Sequence, residues 1–442
     1  MSRRSRKARL PVDPVRTTIE SLSHDGKGVT HIEGKTIFID GALPGEEIEF
    51  LYTSKRKSFD EGRVCEVITA SEDRVEPRCR HAAICGGCSL QHMSAEAQIK
   101  AKHEILMDNL QRIGQVIPET QLEPLTGPVW GYRHKARMGA RYVIKKEKML
   151  VGFREKRSGF LAELDQCEVL HPAVGMKLRA LADLISDLSI PMRMPQIEVA
   201  IGDDAVALIF RHLEALTEQD HASLMAFGQQ HDMQIYLQPE GPDSIHLLYP
   251  DQAGLSYAIA DEDILIQFQP TDFTQINPAI NRDMIAQVIK MLDLNKDDRV
   301  LDLFCGLGNF TLPMARHAGH VVGVEGSLDL VKRARENAIS NGIENAEFHL
   351  ADLMADVNAE SWLSGPYNKV LLDPPRSGAK EVIPQLVKLG VKRIVYVSCH
   401  PGSLARDAGM LVNDYGYRLV SAGVMDMFPH TAHVESIALF EL

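Results

Sequence analysis

From Arg299 to the end of the chain, short apolar runs alternate with longer segments whose apolar residues recur at helical spacing. The runs RVLDLF, HVVGVE, AEFHLA, KVLLD, RIVYVS and YRLVSAGV read as strands, and ESIALFEL returns as a terminal strand. That alternation predicts a doubly wound, mostly parallel α/β sheet. Residues 12–69 have another rhythm. Short β-branched runs are separated by Asp25-Gly26, Glu33-Gly34, Asp40-Gly41 and Pro44-Gly45, which predicts five strands in a small β-barrel. Between the two, a polar helix is expected over about 94–113, and mixed strands and helices from 125 to about 262. The expected domains are 10–70, a barrel; 75–265, a mixed α+β central domain; and 266–442, the α/β domain, on which the polar helix is expected to pack.

A length of 442 residues, with 45% hydrophobic and 24% charged content, fits a soluble protein of two or three domains. No stretch of apolar residues is long enough to span a membrane, so a cytoplasmic location and no membrane partner are expected. In that reducing compartment the seven cysteines point to metal binding or catalysis rather than disulfides, with Cys65 read as core. A net charge of −12 excludes a chain that is basic throughout, yet it hides two basic segments. Residues 1–10 hold five Arg or Lys and no acid; residues 133–157 hold ten against two Glu, with Tyr132, Tyr142 and Phe153 nearby to stack on bases. A stripe of this kind suits a phosphate backbone, although a solvated charged face would look the same.

The stretch LDLFCGLGNF at 301–310 is a strand running into a glycine turn and a helix, where a nucleotide can approach the backbone. Thr311 stands where a dinucleotide fingerprint needs its third glycine, which disfavours NAD. Glu325 ends the next strand, where a carboxylate takes ribose hydroxyls, and Asp352 follows the third, where an adenine amino group is commonly received. This ordered set resembles the S-adenosylmethionine (SAM) dependent methyltransferase fold. The fourth strand ends in LLDPPRSG, with Asp373 at the sheet edge; amino-methylating enzymes use such loops with an aromatic residue where Arg376 stands here.

VYVSCHP at 395–401 places Cys399 at a strand exit rather than within it, and Glu435 opens the last strand. The pair suits one reaction. A thiolate adding to carbon 6 of uracil makes carbon 5 nucleophilic toward a methyl donor, and a base must then remove the carbon 5 proton. QIN at 275–277, LDLFCGLGNF, LLDPPRSG, SCHP and HVE together resemble the RNA 5-methyluridine methyltransferases. The resemblance implies that Gln275, Phe304, Asn309, Glu325, Asp352 and Asp373 contact SAM, that Cys399 attacks uracil, and that Glu435 takes the proton.

Cys79, Cys85 and Cys88, spaced C-x5-C-x2-C, with Cys167 as the cysteine left in the middle domain, suit either zinc or an iron–sulfur cluster. CxxxxxCGGC with a distant fourth cysteine resembles the [4Fe–4S] site of the same family, and that resemblance implies the cluster. DGKGV and ALPGE resemble the TRAM domain, a small RNA-binding barrel. A chain with both features resembles the members that methylate a uracil in 23S ribosomal RNA, so that RNA is the implied partner, with a monomer and no obligate protein partner expected. The rival readings are transfer RNA as substrate, an amino-methylating enzyme with no need for Cys399 or Glu435, and a noncatalytic RNA-binding assembly factor whose cluster senses redox state.

Overall fold

The structure is a computed structural model that describes residues 10–355 and 360–442. The basic run at 1–10 lies outside the described residues apart from Leu10. The chain forms two compact units. One extends through Ile105 and takes in Phe428–His433; the other holds Leu106–Met427 and Val434–Leu442.

In the first unit, six segments form one sheet in the order Val15–Thr18, Glu47–Lys55, Phe59–Thr69, Lys35–Asp40, Gly28–Ile32 and Ser21–Leu22. The two outermost segments are neighbours in the chain. Between them Ile19 N–H donates to Glu46 O at 2.9 Å and Glu20 N–H to Val29 O at 2.8 Å, so the run 15–22 borders both ends of the sheet. Ile19, Ile37, Ile39, Ile48 and Phe50 fill its inner side. Gly62 is required there, because a Cβ would stand 2.5 Å from the Phe50 ring. The buried Glu46 accepts the N–H groups of Leu43 (2.8 Å) and Ser71 (3.3 Å) and pairs with Arg74, tying the sheet to the segment that follows. The expectation that Cys65 is core is corrected: it is exposed. Pairing with Glu47–Lys55 slips between Glu49 and Phe50, so Val64 and Val67 both turn inward and Cys65 is left outside.

The second unit contains a mixed six-stranded sheet, in the order His246–Tyr249, Gln234–Gln238, Val206–Arg211, Gln196–Ile201, Lys135–Val143 and Lys148–Gly152. It also contains the expected α/β sheet. Its strands are β1 (Arg299–Leu303), β2 (His320–Glu325), β3 (Ala346–Leu350), β4 (Lys369–Leu372), β5 (Arg393–Ser398), β6 (Arg418–Met425) and β7 (Glu435–Glu441). They lie in the order β3-β2-β1-β4-β5-β7-β6, with Thr120–Gln121 beside β6. Strands β1 to β5 are parallel; β1, β2, β4 and β5 are mostly apolar because both faces are buried, whereas the edge strand β3 fully buries only Phe348. β7 runs antiparallel between β5 and β6.

The helix Ala95–Asn109 continues into a turn, Leu110–Gly114, that rests on the helix Pro401–Gly409 just after Cys399. A Cβ on Gly114 would stand 2.4 Å from Ala405 O, so only glycine allows this approach. No helix among the described residues is long and apolar enough to cross a membrane.

Candidate active site

Because β1 to β5 are parallel, their C-terminal ends share one edge, where open α/β sheets bind ligands. Phe304, Glu325, Asp352, Asp373 and Cys399 all lie at or just beyond those ends. Glu435 begins β7, which is antiparallel, so its first residue lies at that same edge. The register fixes this: Ser398 is opposite Ser436, which places Cys399 and Glu435 one step beyond that pair on neighbouring strands. Ser436 Oγ donates to Ser398 O at 3.1 Å, clamping the two strands where the side chains emerge.

The glycine turn is built as a cradle. Gly306 and Gly308 have φ of 54° and 87°, and Phe304, at φ 69°, is held in the same left-handed region by its N–H donating to Val324 O at 2.9 Å. A Cβ on Gly306 would meet nothing within 4 Å, so the turn faces open space. Glu325 accepts the N–H of Gly306 at 3.1 Å and of Ser327 at 2.9 Å, which aims its carboxylate beside the turn. Asn309 accepts from Tyr257 Oη at 2.8 Å and exchanges two 2.9 Å bonds with Asn281. Gln275 lines a small cavity with His134, Tyr257 and Asn281. Thr311 donates to the fully buried Asp302 at 2.5 Å, so the residue in the third-glycine position serves helix packing. The exposed Asp352 accepts the Met354 N–H at 3.0 Å. An open glycine turn with a carboxylate beside it has the chemistry that a nucleoside ligand requires.

At the other end of the edge the charges oppose one another. Burial pushes Glu435 up to about 8, with Asp373 adding to the rise and Arg376 opposing it. Burial also pushes Asp373 up to about 7. The half-buried Cys399 thiol is pushed up to about 11, first by burial and then by Glu435 and Asp373, again against Arg376. Arg376, exposed in the loop after Asp373, is therefore the cation that favours both the thiolate and the carboxylate.

Elsewhere the structure divides the expected sites. In the basic stripe, Ala136, Met138 and Ala140 face inward while Arg137 and Arg141 face out, as alternation along a strand requires. Arg137 pairs with Glu198 at 2.9 Å, and Lys146 and Lys148 pair with Glu163 at 2.8 and 2.6 Å, so part of the charge is spent on acids of the same unit. Tyr132 is buried and is withdrawn as a stacking ring. Two rings overlooked in the sequence stand out instead: Phe160 is 66% exposed and Phe273, two residues before Gln275, 69% exposed. An aromatic residue beside a binding motif was the available signal for Phe273.

Cys79, Cys85 and Cys88 lie in the first unit and Cys167 in the second; each is partly exposed. Among the described residues, no three His, Cys, Asp or Glu side chains are gathered as metal ligands. The loop nevertheless has chemistry that fits thiolate ligands: Gly87 N–H points at Cys85 Sγ, 3.4 Å away, a donor that favours sulfur carrying negative charge.

The family model described as tRNA (Uracil-5-)-methyltransferase matches residues 199–441. The chain belongs to the RNA uracil-5-methyltransferase family. Relatives in this family align over the whole chain. It is 54% identical to the 23S rRNA (uracil(1939)-C(5))-methyltransferase RlmD of Methylococcus capsulatus, covering all of both chains. It is 52% identical to the protein of that name from Hahella chejuensis, again over all of both. The crystal structure of the Pyrococcus abyssi tRNA (uracil-54, C5)-methyltransferase, in complex with S-adenosyl-L-homocysteine, has the same fold. The TM-score is 0.73 over 96% of this chain and 100% of that one, at 24% identity.

Proposed function

We propose that this chain transfers the methyl group of SAM to carbon 5 of a uracil in 23S ribosomal RNA. The observation that carries the reading is the register of β5 and β7, which sets a thiol and a buried carboxyl side by side at the ligand edge of the sheet. An amino-methylating enzyme has no use for that pair, and a noncatalytic assembly factor has no use for it or for the glycine cradle.

SAM supplies an electrophilic methyl group. Glu325 would hold its ribose, and Gln275, Phe304, Asn309, Asp352 and Asp373 would complete its site. Cys399, as thiolate, bonds to carbon 6 of the uracil; the displaced ring electrons make carbon 5 the nucleophile that takes the methyl group, the sulfur–methyl bond of SAM breaking to release S-adenosylhomocysteine. Glu435 then removes the carbon 5 proton, the C–H electron pair restores the double bond, and the Cys399 sulfur leaves with the pair it contributed. A base within folded RNA must first be unstacked to reach this edge, at a cost of a few kcal/mol. The outward arginines of the stripe and the exposed rings of Phe160 and Phe273 are suited to hold such an extruded strand. The 15–22 run that borders both ends of the N-terminal sheet supports its reading as a closed TRAM-like barrel that adds RNA surface.

The test is mass spectrometry of 23S ribosomal RNA fragments and of transfer RNA after incubation of each with the protein and methyl-labelled SAM. A single labelled 5-methyluridine is the expected result; label in transfer RNA alone, or on another base, would overturn the substrate assignment.

Cys79, Cys85, Cys88 and Cys167 would hold a [4Fe–4S] cluster, whose role would be to shape an RNA-binding surface. Iron and acid-labile sulfide are expected to copurify in equal amounts, and Cys85→Ser to lose both together with much of the RNA affinity. Zinc in place of iron would refute the cluster, and unchanged RNA binding by the metal-free variant would refute its role.

A further inference from the structure

The segment Phe428–His433 belongs to the first unit, and the next two residues are Val434 and the proposed base Glu435. Its hold is dense. Ser89 N–H and Leu90 N–H both donate to His430 O at 3.0 Å, and Ser89 Oγ accepts the Ala432 N–H at 3.1 Å. Gln98 Oε1 accepts the His430 N–H at 2.7 Å, while its Nε2 donates to Leu90 O (3.1 Å) and Met93 O (2.8 Å) and lies 3.3 Å from His430 Nδ1. Lys102 Nζ donates to Phe428 O at 3.0 Å.

These are expensive arrangements. Gln98 and Lys102 are each only 1% exposed, on a helix whose buried stripe would ordinarily be apolar, and burying an amide and an ammonium costs free energy that an apolar pair would not. His430 adopts φ 65°, a conformation that costs a non-glycine residue about 1 kcal/mol or more unless its surroundings impose it. Stability alone gives no reason for polar groups here. Fixing one backbone path does, because side-chain bonds to main-chain carbonyls and amides set position more narrowly than apolar contact.

We infer that Gln98 and Lys102, with Ser89, are positioning residues for Glu435: they fix the path of Phe428–His433 and so set where β7 begins and where its first carboxylate lies. The inference rests on the reading of Glu435 as the base.

The test separates methyl transfer from release. Gln98→Leu and Lys102→Met are mixed in single-turnover experiments with the 23S RNA fragment identified above, measuring methyl transfer and the covalent enzyme–RNA adduct on denaturing gels. Glu435→Gln runs alongside. A misplaced base is expected to slow adduct resolution about tenfold or more, since a displacement near 1 Å can cost on the order of 100-fold. Methyl transfer, SAM binding and KM for RNA should change little. A general loss of folding would lower every quantity without accumulating adduct. Ser89→Ala, which removes one acceptor only, keeps the question open to test if the first two variants do not fold. If Glu435→Gln traps adduct while folded Gln98→Leu and Lys102→Met resolve it at the wild-type rate, the positioning role is overturned and the base stands. If Glu435→Gln turns over without adduct, the base assignment falls and the positioning role falls with it.

Discussion

Cys399→Ala is expected to abolish methyl transfer, by a factor on the order of 10^4 or more as for other covalent nucleophiles, while SAM still binds. The asymmetry follows from position. Cys399 follows β5, whereas the glycine cradle and Glu325 follow β1 and β2 on the other side of β4, so the substitution leaves the cradle's hydrogen bonds in place. Calorimetry with SAM and a methyl-transfer assay on the same preparation check both halves. Transfer at an appreciable rate by the alanine variant would return Cys399 to the role of a packed side chain.

Glu435→Gln is expected to stall one step later. The amide cannot accept the carbon 5 proton, so methylated RNA should remain bonded to Cys399 as a slow-migrating band, with turnover lowered by about 100- to 10,000-fold. The wild-type protein should show the matching pH dependence. With Glu435 pushed up to about 8 and Cys399 up to about 11, neither group is mostly ionised at neutral pH, and both become active on losing a proton. The rate should therefore rise from about pH 7 to about pH 9 instead of falling. A flat or declining kcat/KM over that interval would contradict the pairing of a buried acid with a raised thiol.

How far these features could be read from sequence depended on whether they leave a side-chain signature. Parallel strands buried on both faces read as apolar runs, and the glycine turn of Gly306 and Gly308 is imposed by backbone conformation, so the α/β sheet and its ligand edge were legible. The place of Cys399 at a strand exit was legible because it follows the apolar run instead of interrupting it. Cys65 was misread because a slip in strand pairing changes which residues face inward, and composition does not record such slips. Tyr132 was offered as a stacking ring on the strength of its charged neighbours, yet it is buried. The helix over 95–109 was legible as polar and as packed, but not which polar residues it buries: Gln98 and Lys102 are each only 1% exposed. Their partners at 428–433 are mainly backbone groups 326 to 332 residues away, which no local pattern announces.

That separation has a consequence for how the molecule is made. The N-terminal unit takes in a segment 326 to 332 residues further along the chain from its partners, so it cannot reach its final form until that segment has been synthesised. Its sheet over 15–69 closes from local strands, but the helix and cysteine loop must wait until translation has passed residue 433. Contacts this distant in sequence slow folding through the entropy of closing a very long loop. A chain interrupted at Met427 would therefore lose more than β7 and the proposed base: the surroundings of the helix that carries Gln98 would be left incomplete as well.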